Sequence, residues 1–397
     1  MPSIALAGQI LIHHALDLAR DGTSFLDELF QADAGFANFE GVIQTPGAWA
    51  TKTKTVHAAD AGVLACIRAM GFTGVAHANN HAFDLGPPGL VATRQAAKAA
   101  ELALAGSGEN LAQAIAPVSI GKGMSLISVD LGPQGDITYA GEGRPGIAPL
   151  RMRRAVGLGP AEYRTMQAIL DGLGDAERLK ARRRVGYSPG PEQGEGLDAF
   201  GTRFIPAEGI QAIWQVDEAD FARLEQVMAA EKARGAILAL ALHNHNWDAD
   251  WTKTPAWLDG LCDRLVEAGA DLVLGTGAPV LQPMRIHRGR LVLPGLGNFV
   301  FHTGRPATYD REGVDVWRSI AARAVLAPDG RLDRLEVLPI AVARPDEGDG
   351  RTPPRPLAPH DADAILARFT TRLSPAEAAY ITRLCPPHPV PPSAPRG

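Results

Sequence analysis

His77, Asn79, Asn80, His81 and Asp84 stand within eight consecutive residues. A neutral imidazole can bind a cation or move a proton near neutral pH. A carboxamide offers a carbonyl oxygen to a cation without adding charge. A carboxylate such as Asp84 can polarise a neighbouring histidine. The cluster follows an apolar run at 72–76 and is closed by Gly86, Pro87, Pro88 and Gly89. A polar burst at the end of a buried strand is where α/β enzymes place ligands and catalysts. The competing reading is an asparagine-rich turn around one satisfied core histidine. The density of the cluster favours a site.

Other polar points follow apolar runs in the same way. His243 and His245 come after the run 236–242. Two positions apart, they share one face of a strand. That spacing suits two imidazoles on one cation, or one ligand and one proton carrier. The alternative is a hydrogen-bonded core pair beside Trp247 and Trp251. Glu40 is an oxygen donor for a hard or borderline cation. Gln9 interrupts the run 4–11, with His13 and His14 beyond it. A buried glutamine is costly unless its amide is bonded, and a bond to a neighbouring loop would satisfy it. Gly275, Thr276 and Gly277 form a loop where backbone can approach a ligand closely. Asn298 stands at a glycine bend before 299–301.

These points need strands to carry them and helices to cover the strands. Continuous apolar runs at 4–11 and 236–242 read as strands buried on both faces. Shorter strands are expected at 72–76, 104–107, 124–129 and 271–274. A hairpin is expected at 284–293, with strands at 317–326 and 332–340. Helical periodicity marks 15–32, 60–70, 88–103, 217–234 and 255–268. Residues 131–210 are rich in Gly, Pro, Arg and acidic groups. They read as an insertion or lid with a helix near 159–184. The main domain is expected to span 1–342. Residues 343–384 are expected to hold a linker and two helices, one capped by Ser374, and 385–397 a disordered tail.

The chain has 397 residues, 46% hydrophobic and 21% charged, with a net charge of -5. This is the balance of a globular protein, with no excess of positive charge to suggest nucleic acid or an anionic membrane. The basic runs at 151–154 and 180–184 read as solvated helix ends and faces. Cys66, Cys262 and Cys385 are too scattered for a disulfide framework or a zinc motif. No apolar run has spanning length, and the opening residues read as a first strand. No membrane insertion and a cytoplasmic location are expected.

Taken in order, Asn38-Phe39-Glu40, the stretch 78–86, the His243 strand end, the pair of stretches 268–271 and 275–282, and the stretch 295–301 resemble the CapA family. Its members look like calcineurin-type metallophosphoesterases. The resemblance covers residues 4–326. It implies an α/β fold, a four-layer α/β/β/α sandwich with two mixed sheets and the site at one edge. It implies Glu40, Asn80 and His243 as metal ligands, with His81 the proton donor beside Asp84 and His245 a further catalytic imidazole. Substrate contacts fall to Gln9, Asn79, Thr276 and Asn298. The implied cofactor is one divalent cation (Mn, Zn or Mg) or none. The family has an aspartate where Gln9 stands and a histidine where Thr276 stands. A two-metal site needs about six protein ligands. The expectation is therefore a single cation, with His13 or His245 able to substitute as a ligand. The alternative is a metal-free acid/base pair of His81 with His243 or His245. The activity implied is hydrolysis of an amide or phosphoester in a small molecule or peptide, linked to poly-γ-glutamate of the capsule. The alternatives are a metal-independent peptide epimerase and a ligand-binding relative without catalysis.

Overall fold

The first strand, Ser3–Leu11, sends its side chains alternately to two cores. Ile4 and Leu6 enter one, Ala5 and Ala7 the other. This is period-2 geometry on a strand covered on both faces. A computed structural model describes residues 1–20, 23–53, 55–132, 136–188 and 196–384.

Two units divide the chain: Met1–Leu150 with Ala219–Gly397, and Arg151–Glu218. The first holds two mixed sheets, which makes it an α/β protein. In the larger sheet Ser3–Leu11 pairs in parallel with Ala34–Phe39, which is followed in parallel by Gly74–Ala76 and Ala103–Ala105. On its other side it pairs antiparallel with Arg318–Leu326, and Asn298–Phe301 joins it in parallel. In the smaller sheet Ile237–His243 lies between Met124–Asp130 and Leu272–Thr276, parallel to both. Ile4, Leu6 and Phe36 of the larger sheet share one core with Leu126, Ala239 and Leu274 of the smaller. On the far face of the larger sheet, Ala5, Ala7 and Ala37 pack with Phe25, Leu64, Ile67 and Ala97 from covering helices. The helix Ala256–Glu267 buries Leu258, Leu261, Cys262 and Leu265, the stripe that a 3.6-residue period produces.

Parallel strands share a direction, so their C-terminal ends gather at one edge. Gln9, Glu40, His77, His243 and Thr276 all stand at or just past such ends. The fold thereby turns sequence-distant polar points into neighbours.

Several elements differ from expectation. Among the described residues of the expected helix 15–32, only Ser24–Leu29 is helical. The Asp17 carboxylate accepts from Ala19 N–H and Arg20, a local turn that competes with helix. The helix expected at 159–184 is two, Pro160–Leu173 and Asp175–Arg184, broken at Gly174 with φ 67°. With them, Met152–Leu158, Leu197–Ala199, Thr202–Pro206 and Gln211–Val216 form a four-stranded sheet within the second unit. Ser374 caps as expected, in a reciprocal box with Glu377, but the helix it opens ends at Ala378. Ile381–Arg383 instead adds to the strand Leu332–Ala341, where pairing outweighs helical periodicity. Helix Pro359–Thr370 places Ile365 and Phe369 in the core between the sheets. Cys66 and Cys262 are buried free thiols. Cys385 and the expected tail lie outside the described residues. Among the described residues, no helix is long and apolar enough to cross a membrane.

Gly8 admits no side chain, because a Cβ there would lie 2.2 Å from Gly297 O. Gly8→Ala is expected to cost roughly 1–3 kcal/mol of stability through overpacking. Gly172, in the last turn of the helix Pro160–Leu173 with open space at its Cβ, offers the opposite case. Gly172→Ala is expected to stabilise by about 0.5–1 kcal/mol. Urea unfolding of both variants checks the two signs together.

Candidate functional site

Glu40 follows the strand Ala34–Phe39 and is 3% exposed. Its Oε1 lies 3.8 Å from His81 Nε2 and 4.0 Å from His243 Nε2. Among the described residues its Oε2, which is buried, has no hydrogen-bond partner. Burial pushes this carboxyl up to about 8; the Lys52 ammonium opposes the shift, while Asp84 and Asp130 add to it. A buried carboxylate oxygen without a partner calls for a proton or a cation.

His243 ends its strand opposite Thr276 in register. Thr276 Oγ1 donates to Leu242 O and sits 3.2 Å from His243 Nδ1. In the tautomer with its hydrogen on Nδ1, donated to Thr276 Oγ1, His243 presents a lone pair on Nε2. That Nε2 is 2.9 Å from Asn80 Oδ1 and 2.9 Å from His245 Nε2. Burial, then His245, His81 and Lys52, hold His243 well below the ordinary imidazole range, so it is neutral. Single donor atoms of Glu40, His243 and His245 all lie within 4.8 Å of one another. Two imidazoles, a carboxylate and an amide oxygen therefore converge. This donor set, with the unpartnered Glu40 Oε2 beside it, fits one borderline or hard cation.

His81 is held from the other side. Its Nδ1 is 2.7 Å from Asp84 Oδ2, and its backbone N–H donates to Asn79 Oδ1. Asp84 Oδ2 also accepts from His57 N–H at 2.8 Å. Asp84 Oδ1 lies 2.5 Å from Lys52 Nζ, both side chains 1% exposed. The same ammonium donates to Asn80 O at 2.8 Å and lies 3.2 Å from His81 Nδ1. Lys52 thus touches the segment bearing Asn80, His81 and Asp84 at three points.

A cavity of about 380 Å³ opens on these groups, lined by Gln9, Glu40, Asn80, His81, His245 and Trp247 among others. Asn79, Thr276 and Asn298, expected to contact substrate, do not line it. Asn79 Nδ2 donates to Phe39 O at 2.7 Å. Thr276 orients His243. Asn298 Nδ2 donates to Pro279 O and Val316 O. Their polar ends face backbone and neighbouring side chains. His77, first in the opening cluster, is a core histidine bonded to Ser107 Oγ and Gly41 O. Burial pushes it down to about 4. His13 bonds His57 Nδ1 at 3.1 Å and stands outside the group formed by Glu40, His243 and His245.

Sequence reasoning missed Lys52, His57 and Asp130. Lys52 sits in the alternating stretch 51–55, which reads as a solvated loop. Nothing near it in sequence signals a carboxylate partner. Asp130 ends the strand beside His243 and accepts from Tyr139 OH. Burial pushes its carboxyl up to about 7, against the bonds from Gly132 and Tyr139.

Residues 3–303 match the family model described as "Bacterial capsule synthesis protein PGA_cap". The uncharacterised proteins y4sH and y4uA of Sinorhizobium fredii are each similar at 26% identity over 250 residues, 59% of this chain and 50% of theirs. The chain thus spans about half the length of these relatives. Capsule biosynthesis protein CapA of Bacillus anthracis is 30% identical over 88 residues, 22% of this chain and 21% of its own. The matched span 3–303 includes every residue of the cavity wall named above.

Removing Lys52 leaves the Asp84 charge buried without its cation. Lys52→Met is expected to cost roughly 3–5 kcal/mol, and adding Asp84→Asn should recover part of that loss. A double-mutant cycle by urea unfolding measures the coupling. Additive effects would show that the two charges do not depend on each other.

Proposed function

The chain belongs to the bacterial capsule synthesis protein family PGA_cap, and from that premise we propose that it is a CapA-like, cation-assisted hydrolase acting on an amide or phosphoester. A role in capsule or poly-γ-glutamate metabolism is part of this reading. So is the four-layer α/β/β/α sandwich, which the shared core between two mixed sheets and the helices beyond the larger one support. The observation that carries the reading is the unpartnered Glu40 Oε2 beside a 2.9 Å approach of two imidazole nitrogens.

Glu40, His243 and His245 would hold the cation, with Asn80 Oδ1 beside them. When bound, such a cation supplies Lewis-acid polarisation of a substrate oxygen and water made acidic enough to attack near neutral pH. Thr276 keeps the His243 lone pair on Nε2. His81, protonated, donates Nδ1–H to Asp84 and presents Nε2–H to the leaving group as general acid. After giving up that proton it retains its Nδ1–H bond to Asp84. Lys52 balances the Asp84 charge, so the carboxylate can orient the imidazole without taking its proton.

Metal analysis of the purified protein tests this. About one tightly held Mn, Zn or Mg per chain is expected, lost in Glu40→Gln and His243→Ala. A protein that is cation-free after gentle purification rejects the reading. If that protein exchanges solvent deuterium into a peptide next to a carbonyl, the acid/base alternative through His81 takes its place.

A further inference from the structure

We propose that Gln9 is a substrate-binding residue whose amide NH2 donates to an oxygen at the reacting centre of a phosphoryl or acyl substrate. The proposal rests on the hydrolase reading only for what that centre is. Gln9 is 2% exposed, yet it lines the cavity. Its strand pairs irregularly on both sides at this residue, a local break that re-aims a side chain.

The orientation of the amide is settled by its partner. Gly277 N–H donates to one end at 3.1 Å. Only the carbonyl oxygen can accept from an N–H, so the NH2 is the other end. Gly277 is itself fixed: its φ is 102°, and a Cβ there would lie 2.3 Å from Asn244 O. Among the described residues the Gln9 NH2 has no hydrogen-bond partner. The donor stands on the cavity wall, where a ligand oxygen can take the place of solvent.

The rest of the cavity agrees with an oxygen-bearing ligand. With a cation in place, Glu40 and His245 would turn their electron pairs to it and would not receive a substrate oxygen. Thr303 and Arg305 line the same cavity as donors. Arg311 and Arg344, close by in the chain or across this edge, each hold a carboxylate. Arg305 forms no ion pair among the described residues. A rigid donor opposite a cluster of electron pairs is suited to an oxyanion that develops during reaction. It would do with an amide what a second cation does elsewhere.

Calorimetric titration of the protein as purified, with inorganic phosphate and separately with acetate, tests the assignment. Cation content is measured for every sample. Gln9→Glu keeps an acceptor for Gly277 N–H and replaces the donor with a second acceptor. Gln9→Leu removes both and cannot bind a cation. Both variants are expected to bind at least one anion tenfold or more weakly at unchanged cation content. Loss for phosphate assigns a phosphoryl substrate, and loss for acetate an acyl one. If Gln9→Glu gains a cation, Gln9→Leu alone decides. Wild-type protein that binds neither anion, or variants that bind as wild type does, overturn the proposal. A cation-free protein whose anion binding still depends on Gln9 would sink the hydrolase reading and leave this assignment standing.

Discussion

One buried charge organises this site. The Asp84 carboxylate lies in the interior, and its two oxygens take an ammonium, an imidazole N–H and a backbone N–H. A carboxylate in that position persists only if every contact is made together. Making them draws the loop carrying Lys52 and His57 onto the turn that carries Asn80 and His81. The turn is then fixed twice more, by Lys52 on Asn80 O and by Asn79 on Phe39 O. Neither imidazole nor amide is free to choose another rotamer, so the groups facing the cavity inherit their precision from a contact just behind them.

The opposite wall depends on a different constraint. His243 has its Nδ1 side closed by Thr276 and is denied a proton by burial. Its remaining nitrogen must face Asn80 and His245, both at 2.9 Å. A hydrogen on His245 Nε2 or a cation satisfies the approach of the two imidazoles, and a cation would also satisfy Asn80 Oδ1. The two halves of the site therefore divide the work. One holds the His81 imidazole against a carboxylate, and the other keeps His243 neutral beside an acid whose ionisation burial opposes.

The placement of these groups was largely legible in sequence, while their partners were not. The runs 4–11 and 236–242 are apolar throughout because both faces of each strand are covered, and the polar residue ending each run marks the sheet edge. That pattern located Gln9, Glu40, Asn80, His81 and His243. It could not tell an amide that faces substrate from one that satisfies backbone. Asn79 and Asn298 do the second, and a strand end supplies both needs equally. Lys52 was invisible for a related reason. A lysine among threonines reads as solvated until a carboxylate from another element is brought against it. The sheet in Arg151–Glu218 escaped because its strands are half-exposed and short, without the continuous apolar runs of the main sheets.

Gln9 and Thr276, where the resemblance leads to an expected aspartate and histidine, are joined by one loop. Thr276 and Gly277 are consecutive, and each bonds to a different half of the site. Thr276 meets His243, while Gly277 N–H meets Gln9 Oε1. A loop that would supply a nitrogen ligand to a cation here supplies a hydroxyl and a backbone donor. The residue opposite supplies a neutral amide where a carboxylate would demand a cation. An aspartate at position 9 with threonine at 276 would leave a negative charge short of a ligand partner. A histidine at 276 with glutamine at 9 would leave a nitrogen with no cation to hold. Against that expectation, the pair has one charge and one ligand fewer, on adjoining strand ends. What remains is a strut that ties the larger sheet to the smaller through Gln9 and Gly277, with a cluster suited to a single cation on the Glu40 side.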